Sequence, residues 1–194
     1  MIVIAAAGVA LGLVATFFAV ERSQDSGFGA GLWFGAVSAG PWTGWPRTGT
    51  RDADPYARAL FARNGETPIG ITEGLSFIAR QDSKGGTLEP RCDYSVSGST
   101  PAARFWTLSA LTPDGHRLPI SSKRHGFTSS ELLRNIDGDF KIRIAASARS
   151  GNWLQVIADQ PFVLMLRLYD TSLSANAFSV VEGAMPTILR ESCR

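Results

Sequence analysis

Residues Ile2 to Val20 form a run without one charged side chain, and this run divides the chain before anything else can be read. About 20 apolar residues in a helix are needed to cross the hydrocarbon core of a bilayer, so the segment is just long enough to span one. A secretory leader is the competing reading. Its apolar region is usually ~7–15 residues long, behind a basic start and ahead of a small-x-small cleavage site. Here no Lys or Arg precedes the run, and Phe17 and Phe18 stand where small residues would be wanted. The expectation is an uncleaved transmembrane anchor over residues 1–22, with a cleaved signal and a buried core helix as alternatives. The flanking charges, Glu21, Arg22 and Asp25, barely orient it. Long C-terminal domains translocate largely regardless of such charges; the short N-terminus and the pair of cysteines, Cys92 and Cys193, are what put the domain outside the cytoplasm as an expectation.

What remains of the 194 residues is enough for one ordinary domain with a real core, not two. Net charge is +2 with basic and acidic side chains interspersed, a normal soluble surface and not the clustered footprint of a nucleic-acid binder. The two cysteines, Cys92 and Cys193, are too few and too distant for a zinc ribbon or a Cys-x-x-Cys motif. In a cytosolic protein they would most simply be buried thiols, whereas in an exported protein such a pair is more often a disulfide. Residues 23–53 include an uncharged Gly/Trp-rich stretch, Ser26 to Pro46, with Trp33, Trp42 and Trp45. Tryptophan favours the headgroup region, so an interfacial linker is expected there. A second span from Phe28 to Trp45 and a plain loop are the alternatives.

The folded domain is expected over 54–194. Asp54 is a good N-cap, Pro55 suits the first helical position and Gly65 is a natural stop, with Tyr56, Ala59, Leu60 and Arg63 on one face. Beyond Gly70 the pattern is that of strands. Ile71–Arg80 is rich in β-branched and aromatic residues and ends in a turn cluster. Arg104–Leu111 is closed by Pro113-Asp114-Gly115. Phe140, Ile142 and Ile144 alternate with Lys141 and Arg143, a half-buried strand. Phe162–Tyr169 is apolar on both faces until Arg167, as a central covered strand would be. Ser129–Arg134 is expected to add a helical turn. Many short strands and one good helix predict a mainly β chain, an antiparallel, jelly-roll-like β-sandwich.

Signs of chemistry are sparse. His116 and His125 both sit beside turn residues, so no metal site is expected, and no nucleophile elbow or phosphate-cradling glycine loop occurs. Glu66 and Glu73 could supply a carboxylate pair, although spacing in sequence says nothing of their separation in space. The stronger constellations join arginine to aromatics: Arg104 with Trp106, Asn152 with Trp153, and Arg167 with Tyr169. Arginine stacked on aromatic rings and free to fork onto a carboxylate can recognise an anionic or sugar ligand. The plainer reading makes these arginines core-edge residues with acidic partners and the tryptophans core filling.

Several segments together resemble the bacterial domain-of-unknown-function family numbered 1214. They are Asp54-Pro55-Tyr56-Ala57-Arg58-Ala59, Gly65 to Gly70, Cys92-Asp93-Tyr94, Pro101 to Thr107, Gly151-Asn152-Trp153-Leu154 and Leu166-Arg167-Leu168-Tyr169-Asp170-Thr171. The resemblance runs from about Trp42 to Cys193. It implies a jelly-roll-like sandwich and a bacterial envelope setting, with the chain similar to the family's short, anchored members, and it implies no activity.

The function expected from these readings is a ligand- or partner-binding β-sandwich tethered to the bacterial inner membrane with its C-terminal domain in the periplasm. The alternative is a hydrolase or lyase acting on envelope carbohydrate or esters. Expected partners are the membrane and a small anionic or carbohydrate ligand or an envelope protein, with no nucleic acid and no cofactor. Cys92, which opens a strand, and Cys193, which follows a closing strand near Pro186–Arg190, are expected to be bridged.

Overall fold

The computed structural model describes residues 2–25, 36–55, 58–59, 62, 67–173 and 184–193, with the side chains of the first helix described from 4 to 18. That helix, α1 (Ile2–Asp25), precedes ten strands: β1 (Val37–Ala39), β2 (Trp42–Gly44), β3 (Gly74–Ala79), β4 (Cys92–Gly98), β5 (Ala103–Leu111), β6 (Gly126–Thr128), β7 (Phe140–Ala145), β8 (Asn152–Gln155), β9 (Val163–Thr171) and β10 (Thr187–Cys193). Among the described residues no helix is long and apolar enough to cross a membrane.

The strands form a six-stranded sheet, ordered β1-β2-β3-β9-β5-β6, and a four-stranded sheet, ordered β10-β4-β7-β8. Alternation decides which residues meet between them. Phe77, Trp106, Leu108, Leu164, Leu166 and Leu168 from the larger sheet pack against Tyr94, Val96, Ile142, Ile144, Leu154 and Ile188 from the smaller in one core. The chain is therefore mainly β and built as two facing sheets. β7 follows its expected alternation, with Phe140, Ile142 and Ile144 buried and Lys141 exposed. β9 is central, pairing with both β3 and β5, and its other face is also covered at one end. There Val163 and Met165 join Ile78 and Leu111 beneath Trp45.

Several expectations need correction. The sheets are not uniformly antiparallel, because β7 and β8 run parallel. With six and four strands they also depart from the eight-stranded jelly roll. The strand expected from Ile71 begins at Gly74: Gly70 O accepts from the amides of Glu73 (2.8 Å) and Gly74 (3.0 Å), so a turn precedes it. Glycine is required at 74, since a Cβ there would lie 2.1 Å from Leu168 O across the β3–β9 pair. Ser129–Arg134 forms no helical turn; the Ser129 amide donates to Trp106 O (2.9 Å) and extends the β5–β6 pairing.

The Gly/Trp-rich segment is not a membrane-interface linker in its described part. Val37–Gly44 contributes β1 and β2, a hairpin turning at Gly40 (φ 57°). Trp42 is fully buried, its Nε1 donating to Pro186 O at 2.7 Å. The remainder of the segment, 26–35, lies outside the described residues. After Asp54, Pro55, Arg58, Ala59 and Ala62 are helical, and the Arg58 amide donates to Asp54 O at 3.0 Å. Ala59, expected to pack inward, is exposed, while Tyr56, Leu60, Arg63, Gly65 and Glu66 lie outside the described residues.

The expected disulfide is present. Cys92 and Cys193 face each other in the β4–β10 register with their Cα atoms 3.9 Å apart. It closes the end of a strand that Arg190 also holds, through Glu89 Oε1 (2.9 Å) and Thr87 O (2.8 Å).

Candidate functional site

Two of the arginine–aromatic segments lie side by side. The start of β5 and the end of β9 are neighbours, with Phe105 opposite Tyr169 and Thr107 opposite Arg167. Strand alternation then separates the residues that sequence grouped together. Trp106 turns inward, 3 % exposed, with its ring 4.8 Å from that of Phe140. Arg104 has the same parity as Trp106 but lies beyond the core, at the rim of the sheet. Its Nε is 3.7 Å from Asp170 Oδ2, a loose pair with side chains 82 % and 74 % exposed. Arg167 and Tyr169 face the opposite side, outside the sandwich, together with Phe105, whose ring lies 5.9 Å from that of Tyr169. Arg104 and Arg167 therefore do not share a face, as β5 and β9 residues of opposite parity cannot. Arg167 is half-buried, and among the described residues no hydrogen bond or ion pair engages its guanidinium.

The Asn152–Trp153 pair belongs to the other sheet. Trp153 lies on its outer side, donating from Nε1 to Ala145 O at 3.0 Å. Asn152 is buried and acts as a clamp. Its Oδ1 accepts from the Leu133 amide (2.9 Å), while Nδ2 donates to Leu133 O (2.8 Å) and Lys141 O (3.0 Å). Leu133 opens the hairpin that leads into β7, bridged between Arg134 and Phe140 and turning at Gly138 (φ 82°). Asn152 thus holds in place the segment that carries Arg134.

At the rim these elements enclose a groove of about 460 Å³, lined by residues 100–106 with Ser129, Ser130 and Arg134. Arg134 donates from Nη1 to Gly138 O (2.8 Å) and from Nη2 to Ser129 O (3.2 Å), so carbonyls orient its guanidinium without neutralising it. The lining holds Arg104 and Arg134 and no carboxylate. Seryl hydroxyls add neutral polar groups: Ser129 Oγ accepts from the Trp106 amide at 3.3 Å, and Ser130 Oγ lies 3.1 Å from Thr128 Oγ1. Asp170 borders this rim with a left-handed backbone (φ 50°), and its amide donates to Glu73 O at 2.8 Å. Exposed Glu73 therefore sits beside Asp170 at the same end of the sheet, whereas Glu66 lies outside the described residues.

A second cavity of about 340 Å³ lies near the disulfide, lined by Pro90, Arg91, Asp93, Ala146, Ala158 and Asp159. Both of its carboxylates are engaged, Asp159 by Arg91 (3.0 Å) and Asp93 by Arg149 (Nε to Oδ2, 3.0 Å). This is cross-linking rather than an open polar site. The histidines join neither cavity lining. The His116 amide donates to Thr112 Oγ1 (3.0 Å), and His125 Nδ1 is enclosed without a hydrogen-bond partner. Among the described residues no group of three or more His, Cys, Asp and Glu is placed to hold a metal ion.

Sequence reasoning missed Arg134, Ser129 and Ser130, because only the pairing of Ser129 with Trp106 and the hairpin from Arg134 to Phe140 bring them to the rim. Phe105 and Asp170 stood within the highlighted segments; period-two alternation could have put Phe105 on the face opposite Trp106, but its place beside Tyr169 comes only from the β5–β9 register.

The molecule is thus a two-sheet β-sandwich with an arginine-lined groove at one rim of its larger sheet. The chain belongs to the family described as "Protein of unknown function (DUF1214)", whose pattern matches residues 73–173, more than half of the 194. No curated protein matches it. Among solved structures it is similar to the VPA0106 protein from Vibrio parahaemolyticus, at 22 % identity and a TM-score of 0.57 over 73 % of this chain and 36 % of that one. A putative uncharacterized protein from Burkholderia cenocepacia matches at 21 % identity and a TM-score of 0.44, over 76 % of this chain and 46 % of that one. The chain thus spans less than half the length of either. The Vibrio likeness is one of fold.

Proposed function

We propose that this protein is a membrane-tethered binding domain, working on the outer side of the bacterial inner membrane, whose rim groove takes an anionic ligand. The observation behind the ligand class is the groove lining: two guanidiniums, three hydroxyl-bearing side chains and no carboxylate. An anion entering there meets Arg134 already oriented by carbonyls and Arg104 held only loosely by Asp170. Charge-assisted hydrogen bonds of this kind are about twice as strong as neutral ones.

The tether and the compartment rest on two other features. At ~1.5 Å per residue the uncharged run of α1, Ile2 to Val20, would extend about 28 Å, just short of the ~30 Å of the hydrocarbon core. Its described apolar side chains are exposed, Phe17 by 64 % and Leu11 by 70 %, a surface the sandwich does not bury. The Cys92–Cys193 bridge favours an oxidising compartment.

Titration calorimetry of the disulfide-bonded full chain in detergent with inorganic phosphate at low ionic strength tests the groove. Binding that Arg134→Gln weakens at least about tenfold is expected, as loss of a charge-assisted contact implies. Absence of binding, or binding indifferent to Arg134, overturns the groove reading. For the tether, the full chain should stay in the membrane pellet after alkaline carbonate washing. Release as a soluble product beginning near Glu21 overturns it.

A further inference from the structure

The outer face of the large sheet carries an arrangement that the groove does not account for. The β3–β9–β5–β6 registers align Ser76, Arg167, Thr107 and Thr128 in one row across four strands. The next row towards the rim holds Tyr169 and Phe105, over the side-chain-free Gly74. Rows on one face are about 6.6–6.8 Å apart along a strand, so Arg167 stands one row below the aromatic pair. Phe105 belongs to both features, as a wall of the groove and as half of the aromatic pair. The groove and this face are therefore continuous, with guanidiniums at both ends and half-buried aromatic rings between them.

We propose that groove and outer face form one elongated site for an acidic glycan chain, an inference that rests on the groove being an anion site. A sugar ring stacks on Phe105 and Tyr169. One acidic substituent enters the groove at Arg134 and Arg104, and a second forks onto Arg167. The hydroxyls of Ser76, Thr107, Thr128 and Ser130 exchange neutral hydrogen bonds with sugar hydroxyls. Burying a guanidinium halfway without a counter-charge is unfavourable, and a ligand carboxylate on Arg167 removes that cost. A single-stranded nucleic acid also combines stacking with cations, but it calls for a basic track along the backbone. Here three guanidiniums, Arg104, Arg134 and Arg167, stand apart around the aromatic pair and form no such track.

The test compares inorganic phosphate with galacturonate oligomers of increasing length on the disulfide-bonded full chain in detergent. A neutral glucan oligomer and oligothymidylate serve as controls. Affinity for galacturonate is expected to rise from monomer to oligomer. Arg167→Gln should weaken the oligomer at least about tenfold while leaving phosphate binding unchanged, because Arg167 lies outside the groove. Arg167→Lys keeps the charge but loses the fork, and should fall between the two. Thermal unfolding of each variant separates binding from folding. If phosphate binds but the oligomer gains nothing over the monomer, or Arg167→Gln leaves it unaffected, the elongated site is wrong and the groove stands. If phosphate also fails, the underlying reading is wrong. Tighter binding of oligothymidylate than of galacturonate overturns the glycan assignment.

Discussion

Replacing Asn152 should both destabilise the sandwich and loosen its groove. The side chain is 6 % exposed and satisfies three backbone groups, the amide and carbonyl of Leu133 and the carbonyl of Lys141. Asn152→Ala leaves all three without their partner. A buried unsatisfied group costs about 1–3 kcal/mol, but Leu133 lies on an exposed hairpin (side chain 70 % exposed) where water can reach part of the gap. A loss of about 2–3 kcal/mol is therefore expected in place of the full sum. For a chain of this size that corresponds to a fall in Tm of roughly 5–10 °C.

Asn152→Asp gives a sharper check on the geometry. One carboxylate oxygen can still accept from the Leu133 amide, but the other then faces two carbonyl oxygens. Only the protonated acid can donate, and to one of the two, so the folded-state pKa must rise above the unfolded value of ~3.9. A raised folded pKa contributes stability that is fully present below the unfolded pKa and is lost as pH rises through the folded pKa. The stability gap between Asn152→Asp and the native protein should therefore widen from about pH 4 upward and then level off. Urea unfolding of the native protein and both variants at several pH values measures this. An Asn152→Ala variant within about 0.5 kcal/mol of the native protein, or a gap for Asn152→Asp that does not change with pH, refutes the clamp.

Reducing the Cys92–Cys193 bridge, or replacing both residues with Ala, opens a loop with a sequence separation of 101. The chain-entropy model sets an upper figure of ~4.7 kcal/mol and typical bridges contribute ~2–4; a urea midpoint unmoved by reductant would contradict this. Glu191 is held below the usual carboxylate range, chiefly by the hydrogen bond from Lys141 at 2.6 Å. Its contribution should be present above the unfolded pKa of ~4.3 and lost as pH falls through the depressed folded value. Because the pair is half-exposed, Glu191→Gln should cost no more than ~1 kcal/mol at neutral pH, and a larger loss would show that the pair does more than a surface bridge.

The features legible in sequence are the local ones. Period-two alternation at Phe140, Ile142 and Ile144 identified β7, and the apolar run ending at Arg167 identified a central strand, because a strand's two faces are written in successive residues. The cysteine pair was legible through compartment chemistry. The start of β3 was misplaced, since Ile71 is β-branched but Gly70 O ties the following amides into a turn. The described part of the Trp-rich segment forms strands for a similar reason. Composition gives tryptophan's preference for an interface, whereas a partner as distant as Pro186 O put Trp42 in the core.

The site shows the same division. Sequence by itself determined that Arg104, Trp106, Arg167 and Tyr169 stand in strands, that each pair is two residues apart, and that arginine and aromatic chemistry is concentrated there. Only the tertiary structure decided which face each pair took. The β5–β9 register sends Trp106 into the core and Arg167 outward, and leaves Arg104 at the rim beyond the last buried layer. It also decided that β8 would run parallel to β7, that Asn152 would clamp a hairpin, and that Arg134 would line the groove. The physical reason is that alternation and turn chemistry act over a few neighbouring residues. Register, sheet order and the burial of a side chain instead depend on strands that meet across long stretches of chain, and no local pattern encodes which strands those are.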